Sequence, residues 1–150
     1  MAECVCMLER ILPRTVDNRY SGHNLAIWCM VVIVFLKTSM GLASIFVGRL
    51  AAQNAHKVPL GAFSPMAEQF LLSALARAGL STLVIALFCL LVLIRYRAMI
   101  PVTYVLILVE QAGRAFLFLR ESAITGISSA LVVNFVLLFL TVLGLFLSLL

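Results

Sequence analysis

Four long apolar segments, separated by short polar ones, dominate the pattern of this chain. They cover about 25–48, 65–94, 98–119 and 127–150. Each is at or above the roughly 20 residues that an α-helix needs to cross the hydrocarbon core of a bilayer. The pattern therefore predicts an all-α integral membrane protein with four antiparallel transmembrane helices.

In the segment before the first span, apolar residues recur at helical spacing. Val5, Leu8, Ile11 and Leu12 share one helical face, and Pro13 follows them. This spacing predicts an amphipathic helix lying on the membrane surface, with a disordered tail as the alternative. We therefore divide the chain into an amphipathic N-terminal segment, 1–24, and a four-helix transmembrane domain, 25–150.

Composition supports the membrane assignment. Of the 150 residues, 64% are hydrophobic and 11% are charged, whereas soluble domains average about 45–50% and 25%. The net charge of +5 comes without a basic run interleaved with aromatic residues, so we expect membrane lipids as partners and no nucleic acid.

The distribution of basic residues predicts the orientation. The N-terminal segment and the turn between the second and third spans carry most of them, and the opposite side carries fewer: Arg10, Arg14, Arg19, Arg95 and Arg97 against Arg49, Lys57 and Arg120. The positive-inside rule then places both termini in the cytoplasm, and the protein in the inner membrane if its source is bacterial.

Ionisable residues inside the spans are the most informative feature. Lys37, Arg77, Glu110 and Arg114 lie within apolar segments, where a charge costs about 2.5–3.5 kcal/mol at mid-span and persists only beside a partner, a ligand or water. Lys37 and Glu110 each lie about 12 residues, or about 18 Å, from the cytoplasmic end of their span. Arg77, Arg114 and Asn134 form a second level farther out.

Helical spacing predicts which faces meet. Gly41, Ser44 and Gly48 continue the stripe of Lys37 along the first span, and such small residues allow close helix packing. Polar stripes on the other spans are expected to converge with it in a four-helix bundle: Gln69, Ser73, Arg77 and Ser81; Thr103, Glu110 and Arg114; Asn134, Thr141 and Ser148. Glu110 is expected between Lys37 and Arg114.

Three interpretations of this charge network stay open. It is a structural lock that sets helix register, a site where a partner or ligand supplies negative charge, or a route for protons or ions.

Catalytic motifs are absent from the sequence. No phosphate-binding loop, metalloprotease or nucleophile-elbow motif occurs, His23 and His56 fall outside the spans, and none of the four cysteines forms a CxxC pair. We therefore expect no enzyme activity, no metal and no cofactor.

The leading hypothesis is a non-catalytic accessory or assembly subunit that docks on a larger membrane complex, or forms a homo-oligomer. The uncharged fourth span would supply the docking face. The alternative is a small transporter or binder of an anionic ligand or lipid head group. In that case Lys37, Arg77 and Arg114 would hold the anion, with Glu110 as the charge-balancing group.

Overall fold

The computed structural model describes residues 20, 22–54, 59–125 and 129–150. Within these ranges the chain forms five α-helices: α1 (Asn24–Phe46), α2 (Gly48–Asn54), α3 (Pro65–Arg95), α4 (Ile100–Thr125) and α5 (Ser129–Leu149). Short 3₁₀ turns at Leu60–Ala62 and Arg97–Met99 precede α3 and α4.

Four helical segments are long and apolar enough to cross a membrane: α1, α3, Arg97–Leu117 and α5. This confirms the all-helical fold with four candidate spans. The amphipathic helix expected in 1–24 lies outside the described residues, apart from the last few positions before α1.

Side-chain capping defines where two of the spans begin. The hydroxyl of Ser64 accepts a hydrogen bond from the Ala67 amide at 3.3 Å, and Pro65 occupies the first turn of α3. Nδ1 of His23 accepts one from the Leu25 amide at 3.2 Å at the start of α1. Both caps satisfy amide groups that have no partner inside the helix.

Two helices differ from the sequence prediction. The polar segment between the first two predicted spans is not a loop throughout: α2 forms there because Leu50, Ala51, Ala52 and Gln53 are good helix formers. The third span was expected to end at about residue 119, whereas α4 continues to Thr125. Between residue 119 and Gly126 the sequence contains no glycine or proline that would end the helix.

α1 is the central helix of the bundle. It packs mainly on α3 and also on α5, while α4 packs mainly on α5; α3 and α4 contact each other little. Gly41 and Gly79 meet at a close contact between α1 and α3: a Cβ atom added to Gly79 would lie 2.9 Å from the Gly41 carbonyl oxygen. Such close approach of two backbones is possible because both positions lack a side chain.

A cluster of large buried side chains surrounds α1. Tyr104 of α4 packs on Gly144 of α5, and its hydroxyl donates a hydrogen bond to the Ala26 carbonyl oxygen of α1 at 2.6 Å. This side chain therefore joins three helices. The outward faces are apolar and exposed, as with Trp28 and Phe139, which is the arrangement expected of a lipid-facing surface.

Candidate functional site

A line of three charged side chains crosses the interior of the bundle. Lys37 on α1 donates a hydrogen bond to Oε2 of Glu110 on α4, and Nε of Arg114, one helical turn later, lies 2.7 Å from Oε1. The Lys37 side chain is only 2% exposed, the Glu110 side chain 19% and that of Arg114 32%. The structure thus forms the ion pairs that depth and helical spacing led us to expect.

Arg114 also connects α4 to α3. Its Nη2 donates a hydrogen bond to Oγ1 of Thr82 at 2.8 Å. Thr82 is buried, and its own hydroxyl donates to the Ala78 carbonyl oxygen at 3.0 Å. Since α3 and α4 contact each other little elsewhere, this bond ties together two helices that are otherwise separated.

A cavity of about 300 Å³ lies beside these charges, between the four long helices. Most of its wall is apolar, but polar side chains from every long helix reach it. These are Lys37, Ser44, Thr82, Gln111, Arg114, Ser129 and Asn134. A mainly apolar cavity with a few convergent polar groups is the usual form of a small-molecule site.

Gln111 is the most buried of three polar cavity residues that the sequence pattern did not indicate; the other two are Thr82 and Ser129. Gln111 is 1% exposed, and its Nε2 donates to no acceptor within the described part of the chain. A buried amide without a partner costs about 1–3 kcal/mol, and a native structure rarely retains one without a reason. The available signal was a neutral polar residue inside an apolar span, overlooked beside Glu110.

Asn134 lies on the opposite wall, on α5. It is buried, and its Nδ2 donates to the backbone carbonyl oxygen of Gln111 at 3.4 Å. Thr141 and Ser148, farther along the same face, are also buried and bond to carbonyl oxygens of their own helix. The polar stripe expected on the fourth span therefore faces the interior.

A second cavity, of about 340 Å³, lies between α3 and α4 nearer the turn that joins them. Its wall is almost entirely apolar, with Val84, Phe88 and Leu106 among its residues, and Glu110 borders it. Glu110 thus lines the apolar cavity, whereas Lys37 and Arg114 line the polar one. The ion pairs lie at the boundary between the two.

The polar stripe expected on the second span does not face the bundle. Gln69, Arg77 and Ser81 are exposed, and Arg77 does not line either cavity. The buried face of α3 instead carries Gly79, Thr82, Ala86, Cys89 and Val92. These compact side chains allow α1 to approach closely, and that packing orients the long Arg77 side chain outward.

The small residues of the first span lie against α3. Gly41 faces the Gly79 backbone, and the Ser44 side chain is the nearest group that a Cβ atom at Gly79 would meet. Gly48 lies across from Leu72 and Leu75 at ordinary van der Waals distance. Ser44 additionally lines the polar cavity, so the stripe borders the candidate site.

Within the described ranges, no group of three or more His, Cys, Asp or Glu side chains is placed to hold a metal ion. The polar lining of the cavity consists of cationic, amide and hydroxyl side chains. Comparison of the chain with protein-family models, with curated proteins and with solved structures found no match.

Proposed function

We propose that this chain is a non-catalytic membrane protein that binds a small anion in the polar cavity between its four spans. The single observation that carries the proposal is the buried Gln111 Nε2, a donor that finds no acceptor among the described residues and that lies at a cavity lined by two cationic side chains. An anion in the cavity would accept from all three groups. It would remove the cost of the unpaired amide and balance the surplus positive charge.

The chemistry of the lining favours an anion over a neutral or cationic ligand. The Lys37 ammonium has three N–H groups, the Arg114 guanidinium has five, and neither accepts a hydrogen bond. One carboxylate, that of Glu110, pairs with both. The cationic groups thus keep donors beyond those used by Glu110 and Thr82, and a guanidinium suits the paired oxygens of carboxylates and phosphates.

The size of the cavity sets the scale of the ligand. A cavity of about 150 Å³ holds benzene, with its six heavy atoms, so about 300 Å³ corresponds to roughly a dozen heavy atoms. A small organic acid or a lipid head group has this size. The lining extends from Lys37 and Leu137 to Ser129 at the start of α5, a distance of roughly 12 Å along that helix.

The test uses the unpaired amide itself as reporter. The protein is labelled with ¹⁵N-glutamine, placed in detergent micelles and titrated with dimethyl phosphate while side-chain amide signals are followed by NMR. We expect the Gln111 signal to shift in a saturable way and the signals of the exposed Gln53 and Gln69 to remain in place. The titration stays below the concentration at which the signals of Gln53 and Gln69 begin to shift. If the Gln111 signal does not move over this range, the proposal is contradicted.

Two leucine variants give a matched comparison. Gln111→Leu removes the donor and is expected to weaken dimethyl phosphate binding about tenfold, while raising the stability of the ligand-free protein by about 1–3 kcal/mol. Gln69→Leu, at an exposed position of α3, should change neither. Destabilisation of the ligand-free protein by Gln111→Leu would show that the amide has a structural partner, and would contradict the proposal.

A second proposal follows from the lipid-facing side of α5. Phe135, Phe139 and Phe146 are 42%, 67% and 62% exposed, and this uncharged face suits docking on a larger membrane complex or a second copy of the chain. We propose the accessory-subunit role on this basis. Affinity capture from gently solubilised native membranes should then yield a stoichiometric complex, and a lone monomer would count against it.

We infer for the topology that the four spans are antiparallel and that both termini are cytoplasmic. Support comes from contacts between opposite helix ends: the His23 amide donates to the Leu147 carbonyl oxygen at 3.2 Å, and Arg49 pairs with Glu68 at 2.8 Å. The positive-inside distribution supports the orientation. A cysteine introduced at Arg97 should be protected from an impermeant maleimide in intact cells, whereas one at Arg49 should react.

A further inference from the structure

The charged groups around the polar cavity do not balance. Lys37 and Arg114 contribute two positive charges and Glu110 one negative charge, which leaves a surplus of one. Among the described residues that line the cavity, Lys37 and Arg114 are the charged ones. Arg77 is exposed outside it, and Arg49 is paired with Glu68 near the ends of their helices. Among the described side chains, the surplus therefore belongs to this site.

The surplus of one positive charge determines the charge of the ligand that would neutralise the site. In a medium of low dielectric constant an uncompensated charge is strongly unfavourable. One negative charge restores neutrality, whereas a doubly charged anion leaves the site with a net charge of −1 and lies close to the Glu110 carboxylate. Building on the proposed anion binding, we propose that the cavity selects singly charged anions and that Glu110 is the residue that sets this selectivity.

The chemical class that results is narrow. Carboxylates and phosphodiesters carry one charge at neutral pH and present two oxygens that match a guanidinium. Phosphate monoesters carry a charge close to −2, because their second ionisation has a pKa near 6. The preferred ligands are thus organic acids or phosphodiesters, including phosphodiester lipid head groups, and phosphate monoesters are disfavoured.

Two probes that differ by one methyl group and one charge test the selectivity. Dimethyl phosphate carries a single charge, and methyl phosphate at pH 8 carries two. The Gln111 amide signal reports both titrations. We expect the wild-type protein to bind dimethyl phosphate at least about tenfold more tightly, since at an effective dielectric constant of about 20 a unit charge within about 12 Å changes ion binding by about tenfold or more.

Glu110→Gln is the diagnostic variant, and Glu68→Gln is its matched control. The first raises the surplus to two positive charges and should reverse the preference in favour of methyl phosphate. The second removes a carboxylate that pairs with Arg49, away from the cavity, and should leave the preference unchanged. The wild-type preference needs no variant, so the inference stays testable even if Glu110→Gln does not fold.

The outcomes separate this inference from the proposal on which it rests. Equal affinity of the wild-type protein for the two probes, or a preference unchanged in Glu110→Gln, overturns the selectivity and leaves anion binding intact. No saturable shift with either probe overturns anion binding itself. Phosphatidylglycerol added to the micelles identifies the source of the bound anion. A shift of the Gln111 signal with this lipid alone indicates a lipid head group, and a shift only with soluble dimethyl phosphate indicates a free anion.

Discussion

The ion pair between Lys37 and Glu110 predicts an unequal effect of removing its two members. Glu110→Leu leaves Lys37, which is 1% exposed, without its carboxylate partner. Lys37→Leu leaves Glu110 with its second partner, Arg114 Nε at 2.7 Å. Arg114 keeps its bond to Thr82 in both variants. We therefore expect Glu110→Leu to be the more destabilising change.

The magnitudes follow from what each variant leaves unpaired. A buried charge that loses its partner costs about 3–5 kcal/mol, which we expect for Glu110→Leu. Losing a hydrogen bond to a charged group costs about 1.5–3 kcal/mol, which we expect for Lys37→Leu because Arg114 still forms an ion pair with Glu110. The double variant buries two leucines in place of an ion pair, and such replacements are often neutral. It should therefore be more stable than Glu110→Leu alone.

The assay is reversible unfolding in mixed micelles, with the wild-type protein, both single variants and the double variant measured side by side. The refuting results are specific. If Lys37→Leu is as destabilising as Glu110→Leu, or if the two effects simply add, then Lys37 and Glu110 are not coupled as described. Additivity in particular would remove the basis for counting their charges together.

Four further substitutions test the packing and the limits of the site. Gly79→Ala should destabilise the protein by about 1–3 kcal/mol through overpacking against α1. Gly113→Ala, where an added Cβ meets nothing within 4 Å, should stabilise it by up to about 1 kcal/mol. Unfolding in mixed micelles measures both changes, and equal effects would contradict the packing described for Gly79. Tyr104→Phe removes the bond to the Ala26 carbonyl oxygen and should cost about 0.5–1.5 kcal/mol in the same assay; no loss would show that the bond contributes nothing. Arg77→Leu should leave the affinity for dimethyl phosphate unchanged in the NMR titration, and a tenfold loss would place Arg77 in the site.

The charged core of the site could be predicted because two constraints act together. The fixed rise of an α-helix places Lys37 and Glu110 at one depth, and the cost of an unpaired charge in hydrocarbon requires them to meet. Arg114 follows from Glu110 by the spacing of one turn. No comparable constraint applies to Arg77, because its long side chain can extend along the outer surface of the bundle and keep its charged group outside.

The orientation of α3 could not be predicted from polarity. On α3 the polar stripe lies on the exposed side, and the face that packs inward is set by steric fit, which Gly79 and its compact neighbours provide. The cavity is equally a tertiary property, since it depends on how far α3 and α4 separate. The role of Gln111 also depends on tertiary structure, because only the packed bundle shows that its side-chain amide is buried beside the cavity without an acceptor among the described residues.

Anomalous diffraction from crystals grown in a lipid mesophase with bromide would test anion binding most directly. Bromide carries one negative charge and can be located without ambiguity by its anomalous signal. We expect a bromide peak in the polar cavity within hydrogen-bonding reach of Gln111 Nε2 and the Lys37 and Arg114 side chains. Bromide peaks at surface arginines together with none in the cavity would contradict it.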